Sequence, residues 1–186
     1  MSSTIINNID NIEKYSYLEL GVFDNKNFNQ IKCKNKYSVD TNGAALYTGT
    51  TDDYFASVSE ETQFDIIYID ANHDLEYVIR DYNNSIKHAK KWIVIHDMIP
   101  PNIIYSQSKF CSDSYKLLYF MLKNTGLEVY PLDNDFGLTF IKMPAEQVDI
   151  NNISITLSFH EFDKFIKTQK LYSNKEMIEI LRKKHV

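Results

Sequence analysis

The chain has 186 residues, 44% of them hydrophobic, with a formal net charge of −5 at neutral pH; that suffices for one domain with a proper core and argues against a surface that tracks nucleic-acid phosphates. Cys33 and Cys111 are the two cysteines, in no CxxC or Cys/His ligand spacing, which excludes a disulfide framework and a structural zinc site. With no basic-then-apolar leader and no apolar run of membrane length, the expectation is a cytoplasmic protein that meets neither membrane nor nucleic acid.

Ile5, Ile6, Ile9 and Ile12 recur at helical spacing, so the first dozen residues are expected to form a short helix lying on a sheet. Residues 15–21 (YSYLELG) read as a first strand. Gly21 at its end lets backbone approach a ligand, and a helix starting near Phe28 would offer unpaired amides to an anion. The G-x-G-x-x-G pattern is absent, the segment being GVFDNKNF. Residues 36–40 (KYSVD) read as a second strand ending in Asp40. This acid follows Gly21 by about twenty residues, the separation at which a carboxylate reaches ribose hydroxyls. A turn aspartate before Thr41, Asn42 and Gly43 is the alternative. Residues 46–49 suit an edge strand, and Thr51 is placed to cap a short helix carrying Tyr54, Phe55 and Val58.

The centre of the chain is a βαβ unit. Ile66, Ile67, Tyr68 and Ile69 make an apolar run suited to a strand buried on both faces, and it stops at Asp70. Leu75, Val78, Ile79, Tyr82, Ile86 and Ala89 then line one face of a helix, with Glu76, Arg80, Asp81 and Lys87 expected on the other. The second run, residues 92–95, ends on His96 and Asp97 before Pro100 and Pro101. Right-handed crossover makes these strands parallel, so Asp70, His73, His96 and Asp97 gather at the carboxyl edge, where open α/β sheets bind ligands. Two acids ending adjacent buried strands repel unless a cation or donors separate them, which points to magnesium or manganese. Quieter readings stand beside these: His73 and Asp74 as helix caps, His96 as a satisfied core histidine, and Tyr68, Tyr77 and Tyr82 as packing.

Residues 103–112 read as a polar, irregular lid. Tyr115, Leu118, Tyr119 and Leu122 form a helical stripe, and residues 127–131 and 137–141 an antiparallel hairpin about LDNDF. Ser158 with Glu161, and Ser173 with Glu176, are capping-box pairs opening two helices that look like structural cover. The small basic clusters at 87–91 and 182–185 read as helix-end cations. No G-x-S-x-G elbow or P-loop is present, which ranks hydrolytic chemistry last.

Taken together, YLELGVFDNKNF, KYSVD, the central IDANHDLE, HDMIPP and DFG motifs resemble the class I S-adenosylmethionine-dependent methyltransferases, most closely the methyltransferase-domain-24 type, over residues 15–142. The sequence departs from that family's pattern at Asn25 (second loop glycine), Thr41 (proline) and Ala71 (glycine). The resemblance implies a Rossmann-like α/β fold: a seven-stranded, mostly parallel sheet of order 3-2-1-4-5-7-6, strand 7 antiparallel, with helices on both faces. It implies a single domain, core 15–142 with a helical extension 143–186, and leaves a homo-oligomer open. By the same resemblance Glu19, Gly21, Asp24 and Asn27 line the methionine end of S-adenosylmethionine, Asp40 accepts from the ribose, and Thr51 and Asp52 lie near the adenine. Asp70, Asp97 and His96 would hold Mg2+ or Mn2+, Asp70 also facing the cofactor, and His73 would be the base. The activity implied is O-methylation of a sugar or other small hydroxyl compound. A catalytically silent binding or assembly domain of the same fold is the alternative.

Overall fold

A computed structural model describes residues 2–123 and 126–183. The strands are β1 (Ser16–Leu20), β2 (Asn35–Asp40), β3 (Tyr47–Thr48), β4 (Phe64–Ile69), β5 (Ala89–Ile95), β6 (Val129–Pro131) and β7 (Thr139–Lys142). They form one sheet in the order β3-β2-β1-β4-β5-β7-β6, parallel except for β7, which runs antiparallel to both β5 and β6. The helices are α1 (Ser2–Ile6), α2 (Lys26–Gln30), α3 (Thr51–Ser57), α4 (Leu75–His88), α5 (Tyr115–Lys123), α6 (Phe159–Ile166) and α7 (Asn174–Lys183).

Alternation along the central strands divides the core in two. Leu18, Leu20, Ile67, Ile69, Ile93 and Ile95 face α3 to α6 and meet Tyr54, Val78, Tyr82, Leu118 and Phe162. Tyr17, Ile66, Tyr68, Trp92 and Val94 face the other way, onto Ile5, Ile6, Phe28, Met177 and Leu181. Strands covered on both sides must be apolar on both sides, which is why 66–69 and 92–95 lack a polar alternation.

Several local expectations are corrected. The opening helix ends at Ile6, and Ile12 begins a separate 3-10 turn, although all four isoleucines are buried. Thr50, not Thr51, caps α3, its hydroxyl accepting from the Asp53 amide at 3.1 Å. Asp81 lies inside, 2% exposed, and Tyr77 is 44% exposed, so each is on the opposite side of α4 from the one its spacing suggested. The hairpin and both capping boxes form as expected. Lys184 and His185, the end of the second basic cluster, lie outside the described residues. Among the described residues no helix is long and apolar enough to cross a membrane.

Candidate active site

β1, β4 and β5 end in register: Leu20 pairs with Ile69 and Ile69 with Ile95, so the next residues, Gly21, Asp70 and His96, stand side by side. Gly21 has φ +82°, and a Cβ there would fall 2.2 Å from the Asp70 carbonyl oxygen. The glycine is required by the meeting of two strand ends. The loop after it is tied to β2, because Asp40 Oδ2 accepts from the Val22 and Phe23 amides, each at 2.9 Å, while Oδ1 accepts from the Asn42 amide at 3.0 Å. Burial works to raise the Asp40 pKa, but those three amides outweigh it and hold the carboxyl below its usual value. Asn25 adopts φ 60°, the left-handed conformation that glycine favours and asparagine tolerates, and its Nδ2 donates to the Ala44 carbonyl at 2.6 Å. Asn25 therefore adopts a conformation that a glycine at this position would also allow. Ala71 is absent from the residues with positive φ, so the glycine it replaces is not needed for conformation.

The four edge residues converge as the sequence implies. His73 Nε2 lies 3.3 Å from Asp70 Oδ1 and 3.7 Å from Asp97 Oδ2; His96 Nδ1 lies 3.4 Å from Asp70 Oδ1 and 3.0 Å from Asp97 Oδ1. The donors that separate the two acids are thus imidazoles. Burial would raise the Asp70 pKa, yet His73 and His96 hold it below the usual range. Burial would lower both imidazoles, and the acids reverse this: His73 is raised, and His96, between Asp135, Asp70 and Asp97, is pushed up to about 12. Asp97 itself sits at φ 58°, the left-handed region that aspartate, like asparagine, tolerates better than most side chains. Its carbonyl accepts from the Ser114 hydroxyl at 2.8 Å.

His73 is not a helix cap. Asp74 occupies the N-cap position of α4 without a side-chain cap bond, and the Leu75 amide is taken by Asp113 Oδ1 at 2.7 Å. His73 Nδ1 instead faces the Lys109 carbonyl at 3.4 Å. A carbonyl only accepts, so Nδ1 carries the proton and Nε2 is left facing the acids. Nor is His96 satisfied in the manner of a core histidine. His73 Nε2, His96 Nδ1 and Asp97 Oδ1 are buried without a hydrogen-bond partner, their contacts lying within ion-pair distance but outside hydrogen-bond geometry. One donor atom from each of Asp70, His96 and Asp97 falls within 4.8 Å of the other two. Two carboxylates and an imidazole converge here, with His96 Nδ1 and Asp97 Oδ1 lacking a hydrogen-bond partner, and the set would fit a divalent cation that displaces the Nδ1 proton.

Two cavities meet at Gly21, Phe23, Asp70 and Ala71 and make one cleft. The half of about 430 Å³ is lined by Asp40, Thr51, Asp52 and Tyr77; the half of about 470 Å³ by Glu19, Asp24, Asn27, His73, His96 and Asp97. Every expected site residue therefore borders the cleft, but several have their polar atoms engaged within the protein. Glu19 is 1% exposed and accepts from Tyr17 at 2.6 Å and Asn27 at 3.1 Å; burial nevertheless lifts its pKa to about 7. Asp24 pairs with Lys26 at 2.6 Å, Asp52 with Arg80 at 3.4 Å, and the Thr51 hydroxyl with Asp81.

The sequence reading missed Asp135, Tyr68, Ser2, Lys109 and Phe110, all of which line the larger half. Tyr68 does more than pack: its hydroxyl is 3.0 Å from Ser2 Oγ and 3.4 Å from Asp70 Oδ2. Asp135 had a signal, the acid before phenylalanine and glycine in the hairpin turn. Gly137, at φ +85°, would drive a Cβ to 2.3 Å from Ile99 Cγ1, and the Ile99 amide donates to the Phe136 carbonyl at 2.7 Å. The motif clamps its turn onto the loop after β5 and carries Asp135 to the site. The expected lid is less polar than its composition suggested, with Ile103, Ile104 and Phe110 exposed and Tyr105 stacked on Phe136 at 5.3 Å.

No family model and no curated protein matches the sequence. Solved structures match the fold. Cofactor-bound Rv0187 from MTB gives a TM-score of 0.61 at 14% identity, over 77% of this chain and 79% of that one. A putative O-methyltransferase from Klebsiella pneumoniae gives 0.58 at 12% over 77% and 79%, and the O-methyltransferase from Bacillus cereus in complex with SAH gives 0.54 at 11% over 75% and 76%. The fold is that of a class I methyltransferase. In this methyltransferase fold the strand order reverses between β1 and β4, and the cleft lies outside the carboxyl ends of those two strands, at the switch point where α/β sheets take ligands.

Proposed function

We propose that this protein transfers the methyl group of S-adenosylmethionine to a hydroxyl oxygen of a sugar or another small polyhydroxylated acceptor, with a divalent cation held by Asp70, Asp97 and His96. One observation carries the reading. On a methyltransferase fold, an imidazole nitrogen without a hydrogen-bond partner, His73 Nε2, stands 3.3 Å from Asp70 in a cleft that continues to Asp40.

Each residue then has a task. Asp40 accepts from the ribose; three amides and, at 3.5 Å, the Thr41 hydroxyl already use its roughly four acceptor positions, so a ribose hydroxyl would take the place of the long Thr41 contact. Thr51, Asp52 and Tyr77 wall the adenine side, and Gly21, Asp24 and the loop around Asn25 the methionine side. Glu19 and Asn27 hold that wall from behind. The acceptor hydroxyl is oriented between His73 and the two acids. As its oxygen forms the new bond to the methyl carbon, its proton passes to His73 Nε2, and the carbon–sulfur electron pair returns to sulfur, leaving a neutral thioether. A bound cation would lower the hydroxyl pKa and offset the carboxylate charge that raises the His73 pKa.

Titration calorimetry and thermal unfolding with S-adenosylhomocysteine test the reading. Binding with a raised melting temperature is expected, and Asp40→Ala should lose about 1.5–3 kcal/mol of affinity with its charged acceptor. Saturating ligand that produces neither heat nor a shift would replace the enzyme with a silent domain of the same fold.

A further inference from the structure

His96 stands where the resembling family has an acid, and its ring faces carboxylates at both ends. Nδ1 is the atom buried beside Asp70 and Asp97 without a hydrogen-bond partner, while Nε2 points the other way, 3.5 Å from Asp135 Oδ2. The position of Asp135 is set by backbone. Its turn is fastened to the loop after β5 through the Ile99 amide and the Phe136 carbonyl at 2.7 Å and through the close seat of Gly137 on Ile99. Ser2 Oγ donates to Asp135 Oδ2 at 3.3 Å, which fixes the carboxylate from the far side.

We propose that Asp135 is the positioning residue that makes His96 a nitrogen ligand: by accepting the Nε2 proton it holds His96 in the tautomer whose Nδ1 lone pair joins Asp70 and Asp97. This rests on the cation reading of the preceding subsection. An imidazole ligates through Nδ1 only when that nitrogen is free and Nε2 is protonated, so a cation would displace the proton that Asp70 and Asp97 favour at Nδ1 while Asp135 keeps the one on Nε2. A carboxylate behind a ligating histidine both selects that tautomer and raises the basicity of the ligand. Asp135 approaches no other ring nitrogen of the cluster among the described ion pairs, and it is not among the three residues whose donor atoms converge. Its shortest route to the converging donor atoms is His96; a longer one passes through Ser2 and Tyr68 to Asp70, and the His96→Ala background below separates the two. An imidazole strengthened in this way favours a borderline ion such as Co2+ or Mn2+ over Mg2+, which prefers oxygen.

The test is a titration of the full chain with Co2+ alone, followed by calorimetry and by the visible spectrum, whose bands follow the ion's coordination number and ligand field and should change in His96→Ala if His96 is a ligand. Asp135 sits at φ 48°, a conformation asparagine and glycine both tolerate, so Asp135→Asn and Asp135→Gly should keep the fold. Co2+ affinity is expected to fall about 10- to 100-fold in Asp135→Gly and less in Asp135→Asn, which retains an acceptor oxygen. Mg2+ affinity should change less than Co2+ affinity in both. In a His96→Ala background, where the intermediary is gone, Asp135→Gly should have no further effect. Wild-type protein that binds no Co2+ would remove the cation reading itself. Wild-type binding with unchanged affinity in both Asp135 variants, or an Asp135 effect that persists without His96, would overturn the positioning role while leaving the cation site in place.

Discussion

Gly21 and Asp70 touch through their backbones: the end of β1 lies so close to the end of β4 that a Cβ on Gly21 would sit 2.2 Å from the Asp70 carbonyl oxygen and 2.6 Å from the Ala71 Cα. The loop that would receive the cofactor and the acid that would serve the reaction are one packed unit, so a change at either end is felt at the other. Gly21→Ala adds the strain of φ +82° in an L-residue to a clash with backbone, which cannot swing aside as a side chain could. The loss should be about 3 kcal/mol, or roughly 6–12 °C in Tm for a chain of this size. Gly43→Ala, where a Cβ meets nothing within 4 Å, is the matched control and should leave Tm where it is. Equal melting temperatures for the two variants would refute the packing argument.

The topology and the edge cluster were legible in the sequence because they rest on patterns that local chemistry dictates. Apolar runs without alternation mark strands covered on both faces, and right-handed crossover then places Asp70, His73, His96 and Asp97 together. What escaped depends on contacts between distant segments. Asp81 looks like part of a solvated helix face until α3 docks over it, since its burial is decided by Thr51, some thirty residues earlier in the chain. Asp135 reaches the site through a turn fastened to Ile99, and Ser2 through the docking of α1, neither of which any spacing rule foresees. The glycine loop shows the opposite case. Asn25 looked like a lost glycine, but asparagine keeps access to the left-handed region, and the residue sits there at φ 60°.

Glu19 and Asp81 should make the protein less stable as pH rises. Burial lifts both carboxyl groups to about 7, overriding the hydrogen bonds from Tyr17 and Asn27 to Glu19 and from Thr51 to Asp81. In the unfolded chain such groups ionise near pH 4. The folded state thus holds these protons more tightly, and the stability they confer is complete below about pH 4 and lost as pH climbs through about 7. Melting temperature should accordingly decline between about pH 5 and pH 8. Glu19→Gln and Asp81→Asn, which never ionise, should each flatten that decline and be more stable than wild type at pH 8, by on the order of a few kcal/mol. A wild-type profile that is level across the window would show that these carboxyl groups titrate normally.

His73→Gln should lower turnover steeply while leaving cofactor affinity as it is. The capping account of this residue has lost its basis, because the first amide of α4 is held by Asp113 and the imidazole makes no bond to the helix. Replacing it breaks no cap, but it takes a donor from between Asp70 and Asp97, so Tm should fall without added cation and recover when Co2+ or Mn2+ occupies the acids. Glutamine has similar reach and can still donate to the Lys109 carbonyl in place of Nδ1, but it cannot accept a proton from a hydroxyl. S-adenosylhomocysteine affinity should be unchanged and turnover should fall about 10²- to 10⁴-fold. The pH profile supplies a second reading that a structural role would not move. Burial tends to lower the imidazole pKa, but Asp70 and Asp97 outweigh it, so without added cation wild-type activity should climb through a pKa above the usual imidazole value. That limb should shift down when Co2+ or Mn2+ occupies the acids, and it should be missing in His73→Gln. Near-normal turnover in the variant, or a limb that survives it, would assign the proton to another group.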